Sequence, residues 1–107
     1  DYDKFISYTL TFNQFVNPSP FCFTIIFKRK SYLERFEKYL KLNKIEYRPI
    51  IGGNLLKHPA FSNYINQNKK NANANKVMEL GIYVGINPLI PLKQLKVFSK
   101  VLAKSFI

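Results

Sequence analysis

The sequence has few of the residues that build covalent, metal or catalytic sites. Its 107 residues include one cysteine, one histidine, six acidic residues and no tryptophan. A single cysteine excludes a disulfide within the chain and a cluster of thiolate metal ligands. No apolar run approaches the roughly 20 residues that a membrane-spanning helix needs. We therefore expect neither a membrane protein nor a chain that is a complete enzyme by itself.

The charge is strongly positive but comes almost entirely from lysine. The formal net charge is +11, from 14 lysines and 3 arginines against six acids. Proteins that read nucleic acids favour arginine, because its planar fork makes bidentate contacts. We interpret the lysine excess as a bias spread over the whole chain, and we do not expect nucleic acid to be the partner. A general attraction to polyanions remains an alternative.

The middle of the chain predicts a strand, a helix and a second strand. Residues 21–28 are aromatic and β-branched, which is typical of a buried strand. Ser31 and Glu34 match a helix capping box, and an apolar residue recurs at helical spacing behind them. The helix should end near residues 42–44. Residues 45–51 predict the next strand, which completes a β-α-β unit.

The last third predicts a loop, a strand and a final helix. Residues 66–76 are polar and low in complexity, which favours a surface loop before a short helix that ends at Leu80. Residues 81–85 predict a strand between two glycines, and Pro91 suits the first turn of the last helix. The expected apolar stripe of that helix is Leu92, Leu95, Phe98, Leu102 and Phe106. The expected basic stripe is Lys93, Lys96, Lys100 and Lys104.

These elements predict an α+β domain. We expect a small β-α-β-based mixed sheet with helices packed on one side. Residues 21–107 would form this domain. Residues 1–20 lack a firm period, and we interpret them as a segment connecting it to a large domain that precedes it.

The segment 45–61 contains the candidate binding residues. Arg48 offers a fixed fork for a carboxylate or phosphate. Gly52 and Gly53 allow positive φ and a close approach of the backbone to a ligand. Asn54 could donate to a ligand oxygen, and His58 could add a hydrogen bond. We assign no catalytic residue and no metal ligand.

The same segment has an alternative, purely structural interpretation. Gly-Gly-Asn is also typical of an ordinary turn in which Asn54 caps the short helical segment expected at 55–65. Arg48 could form a surface ion pair with Glu46 or Glu79. The residue types alone leave both interpretations open.

The motif also resembles a known family. The order of elements around 45–61, together with the strand at 81–85, is similar to the end of the DegT/DnrJ/EryC1/StrS family. Within it, the likeness favours the branch of the lipopolysaccharide 3-dehydratases and related hexose aminotransferases. The matching residues are Ile45, Glu46, Arg48, Pro49, Ile50, Gly52, Gly53, Asn54, Leu55, Pro59, Ala60, Phe61, Gly81, Ile82, Tyr83, Val84 and Gly85. Ile86 departs from the asparagine that is frequent there in the family.

The resemblance implies a function for the parent protein. Such enzymes are cytoplasmic homodimers that use pyridoxal phosphate (PLP) to aminate or dehydrate nucleotide-linked 4-keto sugars during surface-polysaccharide or deoxysugar synthesis. The large domain holds PLP through its lysine, so this chain alone would hold no cofactor and would be inactive. By this resemblance Arg48 and Asn54 meet an anionic or hydroxyl group of the substrate. Gly52 and Gly53 allow its approach, and His58 lies nearby.

An alternative of another class remains open. The chain could be a stand-alone binding module, derived from such a domain, that uses its basic surface and has no catalytic role.

Overall fold

The computed structural model describes residues 2–9, 19–51, 53–64 and 71–106. Within these ranges the chain forms a four-stranded sheet and three α-helices, so the predicted α+β class is confirmed. The strands are β1 (Ile6–Thr9), β2 (Cys22–Phe27), β3 (Arg48–Pro49) and β4 (Gly81–Gly85). The helices are α1 (Lys30–Leu42), α2 (Ala72–Leu80) and α3 (Leu92–Ser105). Short 3-10 turns occupy Tyr2–Lys4, Leu55–Lys57 and Pro59–Tyr64.

The sheet has the strand order β1-β2-β4-β3. Each of the three pairings is antiparallel, so β2 and β3 point the same way on either side of β4. The predicted β-α-β unit is therefore present in a split form, in which β4 separates its two strands. The expectation of a mixed sheet is wrong, because the strand that returns last along the chain takes the place between the two parallel ones.

The core lies between one face of the sheet and the helices α1 and α3. Ile25 of β2 stands directly opposite Ile82 of β4, and both are buried. The remaining members of the buried cluster come from β2 and the two helices, and are Phe27, Leu33, Phe36, Leu40 and Val101. The predicted packing of these helices on one side of the sheet is confirmed.

The segment before residue 10 contributes to the same sheet. Strand β1 pairs antiparallel with β2, with Ile6 opposite Phe27. Just before it, the ring of Phe5 stacks on Phe106 at the end of α3, with 4.5 Å between centroids. Residues 2–9 therefore pack on the domain, whereas the link of residues 1–20 to a large domain remains a prediction.

Helix α1 begins earlier than the sequence suggests. Arg29, with an extended backbone (φ −142°), is the N-cap residue, and no side chain caps the helix. Ser31 therefore lies inside the first turn, so the predicted capping box is wrong. The end is as predicted: α1 stops at Leu42, and the side-chain amide of Asn43 donates to the carbonyl of Tyr39.

Helix α2 also begins earlier than predicted. Of the expected loop at 66–76, residues 66–70 lie outside the described part, and the helix starts at Ala72. The low complexity of Ala-Asn-Ala-Asn concealed a sequence in which alanine is the best helix former. Val77 and Met78 are partly buried and anchor the helix.

Helix α3 lies on the core only through its C-terminal half. Val101 and Ser105 are buried, and the hydroxyl of Ser105 donates to the carbonyl of Val101. Phe98, Leu102 and Phe106 pack against the core cluster. The predicted apolar stripe is wrong for its first two members, because Leu92 and Leu95 are 66% and 50% exposed.

Candidate functional site at residues 48–61

Arg48 and Pro49 form the short edge strand β3. Arg48 stands opposite Tyr83 of β4, and Pro49 stands opposite Ile82. The predicted strand at 45–51 is reduced to these two residues. Proline has no N–H to donate to a ladder, so it is tolerated at a sheet edge but does not extend the pairing. The edge position leaves the side chain of Arg48 exposed.

The segment after β3 packs against α2 and against the start of β4. Gly53 has a φ of +51°, and a Cβ added there would lie 2.6 Å from Cγ of Met78. A Cβ on Gly81 would lie 2.9 Å from Cγ1 of Ile50. Only a residue without a side chain leaves room for the Met78 side chain beside position 53 and for the Ile50 side chain beside position 81. The requirement for Gly53 thus has a structural explanation.

Asn54 caps the 3-10 turn that follows it. Its side chain is 4% exposed, and its Oδ1 accepts a hydrogen bond of 3.0 Å from the backbone N–H of Leu56. Its backbone carbonyl accepts from the N–H of Lys57. The capping interpretation of Asn54 is confirmed, and its contact with a ligand remains a prediction.

Arg48 is paired at the surface. Its Nη2 donates to Oε1 of Glu46 at 2.8 Å, and the two side chains are 65% and 78% exposed. The predicted ion pair with Glu46 is confirmed. Exposed pairs of this kind contribute roughly 0–1 kcal/mol, because water screens the charges. A ligand anion can therefore displace Glu46 from the guanidinium at little cost.

One ring nitrogen of His58 has a hydrogen-bond partner within its own segment. Its Nδ1 accepts from the backbone N–H of Ala60 at 3.2 Å, and its ring stands edge-on to that of Phe61. In neutral imidazole the other nitrogen then has the proton. The exposed His58 is thus oriented as an Nε2–H donor.

The candidate residues share a segment rather than a hydrogen-bond network. The described side-chain hydrogen bonds of Arg48, Asn54 and His58 each go to a partner two residues away. None of them joins two of these residues. Gly52 lies outside the described residues. Over residues 2–9, 19–51, 53–64 and 71–106 no group of histidine, cysteine or acidic side chains is placed to hold a metal ion.

Two apolar surfaces were not found from the sequence. The candidate segment exposes the large side chains of Ile51, Leu55 and Phe61. A groove of about 660 Å³ lies elsewhere, between α3, the end of β4 and the connection from α1 to β3. Its walls come from separate parts of the chain, so no local pattern could reveal it.

Neither a family model nor a curated protein matches the chain. Among solved structures, it is similar to E. coli GDP-4-keto-6-deoxy-D-mannose-3-dehydratase with bound hydrated PLP, with a TM-score of 0.62 and 26% identity. The match covers 76% of this chain and 22% of that one, so this chain spans less than a quarter of that enzyme's length. The chain resembles part of a PLP-dependent sugar-modifying enzyme.

The described residues do not fit PLP itself. A lysine that holds a cofactor covalently is activated in an enclosed, desolvated pocket. Every lysine in the described ranges is exposed. The described lysines therefore lack the environment in which a lysine holds PLP covalently. No described helix has the length and apolarity needed to cross a bilayer.

Proposed function

We propose that this chain is the small C-terminal domain of a cytoplasmic, homodimeric PLP enzyme that acts on nucleotide-linked 4-keto sugars. The reaction is either transamination or removal of the 3-hydroxyl group. The likeness to the PLP-bound sugar dehydratase carries this proposal, since it spans 76% of the chain. In the parent enzyme PLP would supply an electron sink, held by the large domain.

In this proposal the 48–61 segment binds substrate at the edge of the sheet. Arg48 exchanges Glu46 for an anionic group of the nucleotide sugar or of the amino donor, because its pair is exposed and weak. Asn54 and Gly53 fix the turn that brings the backbone close to the ligand. His58 donates its Nε2–H to a hydroxyl or phosphate oxygen.

The test is steady-state kinetics of the polypeptide that contains this chain, loaded with PLP. The substrate is a nucleoside-diphosphate 4-keto-6-deoxyhexose, tried with and without glutamate as amino donor. Mass spectrometry of the product distinguishes the gain of an amino group from the loss of the 3-hydroxyl. Absence of either product with every sugar nucleotide tried would rule out the proposed function.

The role of Arg48 has its own variants. Arg48→Ala should lower kcat/KM by about 10- to 100-fold, as expected for a lost charge-assisted hydrogen bond. Glu46→Gln is the matched control: it removes only the competing carboxylate and should leave kcat/KM unchanged or slightly higher. Unchanged kinetics of Arg48→Ala would remove this residue from the site and leave the reaction itself standing.

One observation supports the second candidate, a non-catalytic basic module. Lysines 93, 96, 100 and 104 are exposed on α3, and the described ion pairs involve Arg48 and Lys57 instead. Such a module would bind a polyanion such as heparin with an affinity that falls steeply with salt. Titration of the chain with heparin at low ionic strength tests this, and absence of binding there would exclude it.

A further inference from the structure

The N-terminal half of α3 projects apolar side chains into solvent. Leu92 and Leu95 are about half to two-thirds exposed, and Leu89, in the turn before the helix, is 85% exposed. Single exposed leucines are common on protein surfaces, but several in one place mark an interaction site. Here they lie within seven residues of sequence.

Leu95 lines the groove of about 660 Å³, and Leu92 lies one helical turn before it on α3. Apolar side chains from four parts of the fold line it, and they include Phe23, Ile45, Val84, Ile86, Leu95 and Phe98. A concave apolar site accepts a protruding side chain or a helix ridge from a protein. A flat bilayer surface does not fill such a concavity, so the shape favours a protein partner.

Positive charge borders the groove. Lys44 lies in its wall, and so does Val97 of α3. Lys93 and Lys100 are four residues before and three residues after Val97, so they neighbour it on the helix surface. The one carboxylate in the wall belongs to Glu46, which is paired with Arg48.

The positive charge around the groove distinguishes a second copy of this chain from an acidic partner as the occupant. A second copy of this chain would bring its own lysines against these lysines, in a molecule whose net charge is +11. Like charges brought together at an interface are unfavourable, whereas carboxylates would complement them. The occupant that fits is therefore an apolar ridge bordered by acidic residues.

We propose that this groove docks such a ridge, supplied by the remainder of the longer enzyme to which this domain belongs. This inference rests on the proposed function for the source of the ridge, since this chain spans 22% of the similar PLP enzyme. The docking would seat α3 against the rest of the enzyme and cover Leu92 and Leu95.

The test is hydroxyl-radical footprinting of the polypeptide that the source organism produces, read by mass spectrometry. Leu42 is the internal control, since it is 67% exposed on α1, outside the groove, against 66% for Leu92. We expect Leu92 and Leu95 to be modified several-fold more slowly than Leu42. Equal rates of modification at Leu92, Leu95 and Leu42 would overturn the proposal. A source polypeptide that consists of this domain alone and is modified equally at these leucines would also overturn it.

Variants of the same polypeptide test the chemistry of the occupant. Lys93→Glu with Lys100→Glu should restore rapid modification of Leu92, because both charges that attract the acidic border are reversed. Lys38→Glu with Lys41→Glu, on α1, is the matched control and should leave Leu92 protected. If Leu92 stays protected in the variant with both lysines reversed, the proposal that acidic residues border the docked ridge is wrong.

Other occupants give distinct results. Protection that disappears on dilution, together with a dimer in sedimentation, would assign the groove to a second copy. Protection that needs anionic vesicles would assign it to a membrane surface. Either result overturns the proposal. Turnover of the sugar substrate with an unprotected groove would refute this inference alone, whereas a protected groove without turnover would refute only the proposed function.

Discussion

Gly53 illustrates how one residue of the candidate segment is constrained by packing. Its backbone lies in the left-handed region, and α2 leaves no space for a side chain beside it. Gly85 shares neither constraint, because an added Cβ there meets no heavy atom within 4 Å. Gly53 and Gly85 are therefore under different constraints, although they look alike in sequence.

Gly53→Ala should lower the free energy of unfolding by about 1–3 kcal/mol, from the strained φ and the clash with Met78. Urea denaturation followed by circular dichroism measures this. Gly85→Ala is the control and should change the free energy of unfolding by no more than about 0.5 kcal/mol. Equal midpoints for the two variants would contradict the close approach of α2.

Arg48 and Asn54 show that the type of a residue does not by itself determine its role. Arg48 was expected either to bind a ligand or to pair with a neighbouring acid, and the structure shows the pair with Glu46. Both functions require the same guanidinium on an exposed edge, so sequence could not separate them. Asn54 was likewise expected to cap or to bind, and its burial beneath the 3-10 turn shows the cap.

Among the elements, α3 divides into an anchored half and a projecting half. Val101 is 2% exposed in the core, whereas Val97, one turn earlier, is 38% exposed at the groove. Both valines belong to one helix, so their replacement by alanine changes helix propensity equally. They therefore make a matched pair that reports only packing.

Val101→Ala should lower the free energy of unfolding by about 2 kcal/mol, from the lost apolar burial and the cavity left behind. Val97→Ala should change it by less than about 0.5 kcal/mol. Thermal and urea unfolding of both variants measure the difference. A comparable loss for Val97→Ala in the isolated domain would mean that the N-terminal half of α3 is also packed on the core.

Element boundaries were the least predictable part of the fold. Ser31 and Glu34 have the spacing of a capping box, yet the extended residue before α1 is Arg29. Where the chain turns into a helix depends on where β2 ends and on how Leu33 and Phe36 reach the core. Leu33 and Phe36 are both buried in the core, whereas no side chain caps the start of α1.

For the molecule as a whole, the net charge of +11 opposes folding through self-repulsion. Adding NaCl shortens the screening distance to about 10 Å at 0.1 M, so the repulsion weakens. We expect the free energy of unfolding to rise between low salt and 0.1–0.2 M NaCl and then to level off. Urea unfolding at several salt concentrations measures this.

The control for this prediction is Lys96→Glu with Lys104→Glu, two exposed positions of α3. Each substitution lowers the net charge by two, so the stabilisation by salt should be smaller. An unchanged salt dependence would mean that favourable local ion pairs, rather than net repulsion, dominate the response of the domain to salt.

The sequence by itself determined the α+β class, the strands β2 and β4 and the helices α1 and α3. It also determined the resemblance carried by 45–61. Each of these follows from local signals, namely the hydrophobic period and the turn residues. Tertiary structure decided the rest. It placed β4 between β2 and β3, reduced the strand at 45–51 to Arg48–Pro49, and left Leu92 and Leu95 off the core. These features depend on which distant segments compete for one sheet edge or one helix face, and local pattern does not record that competition.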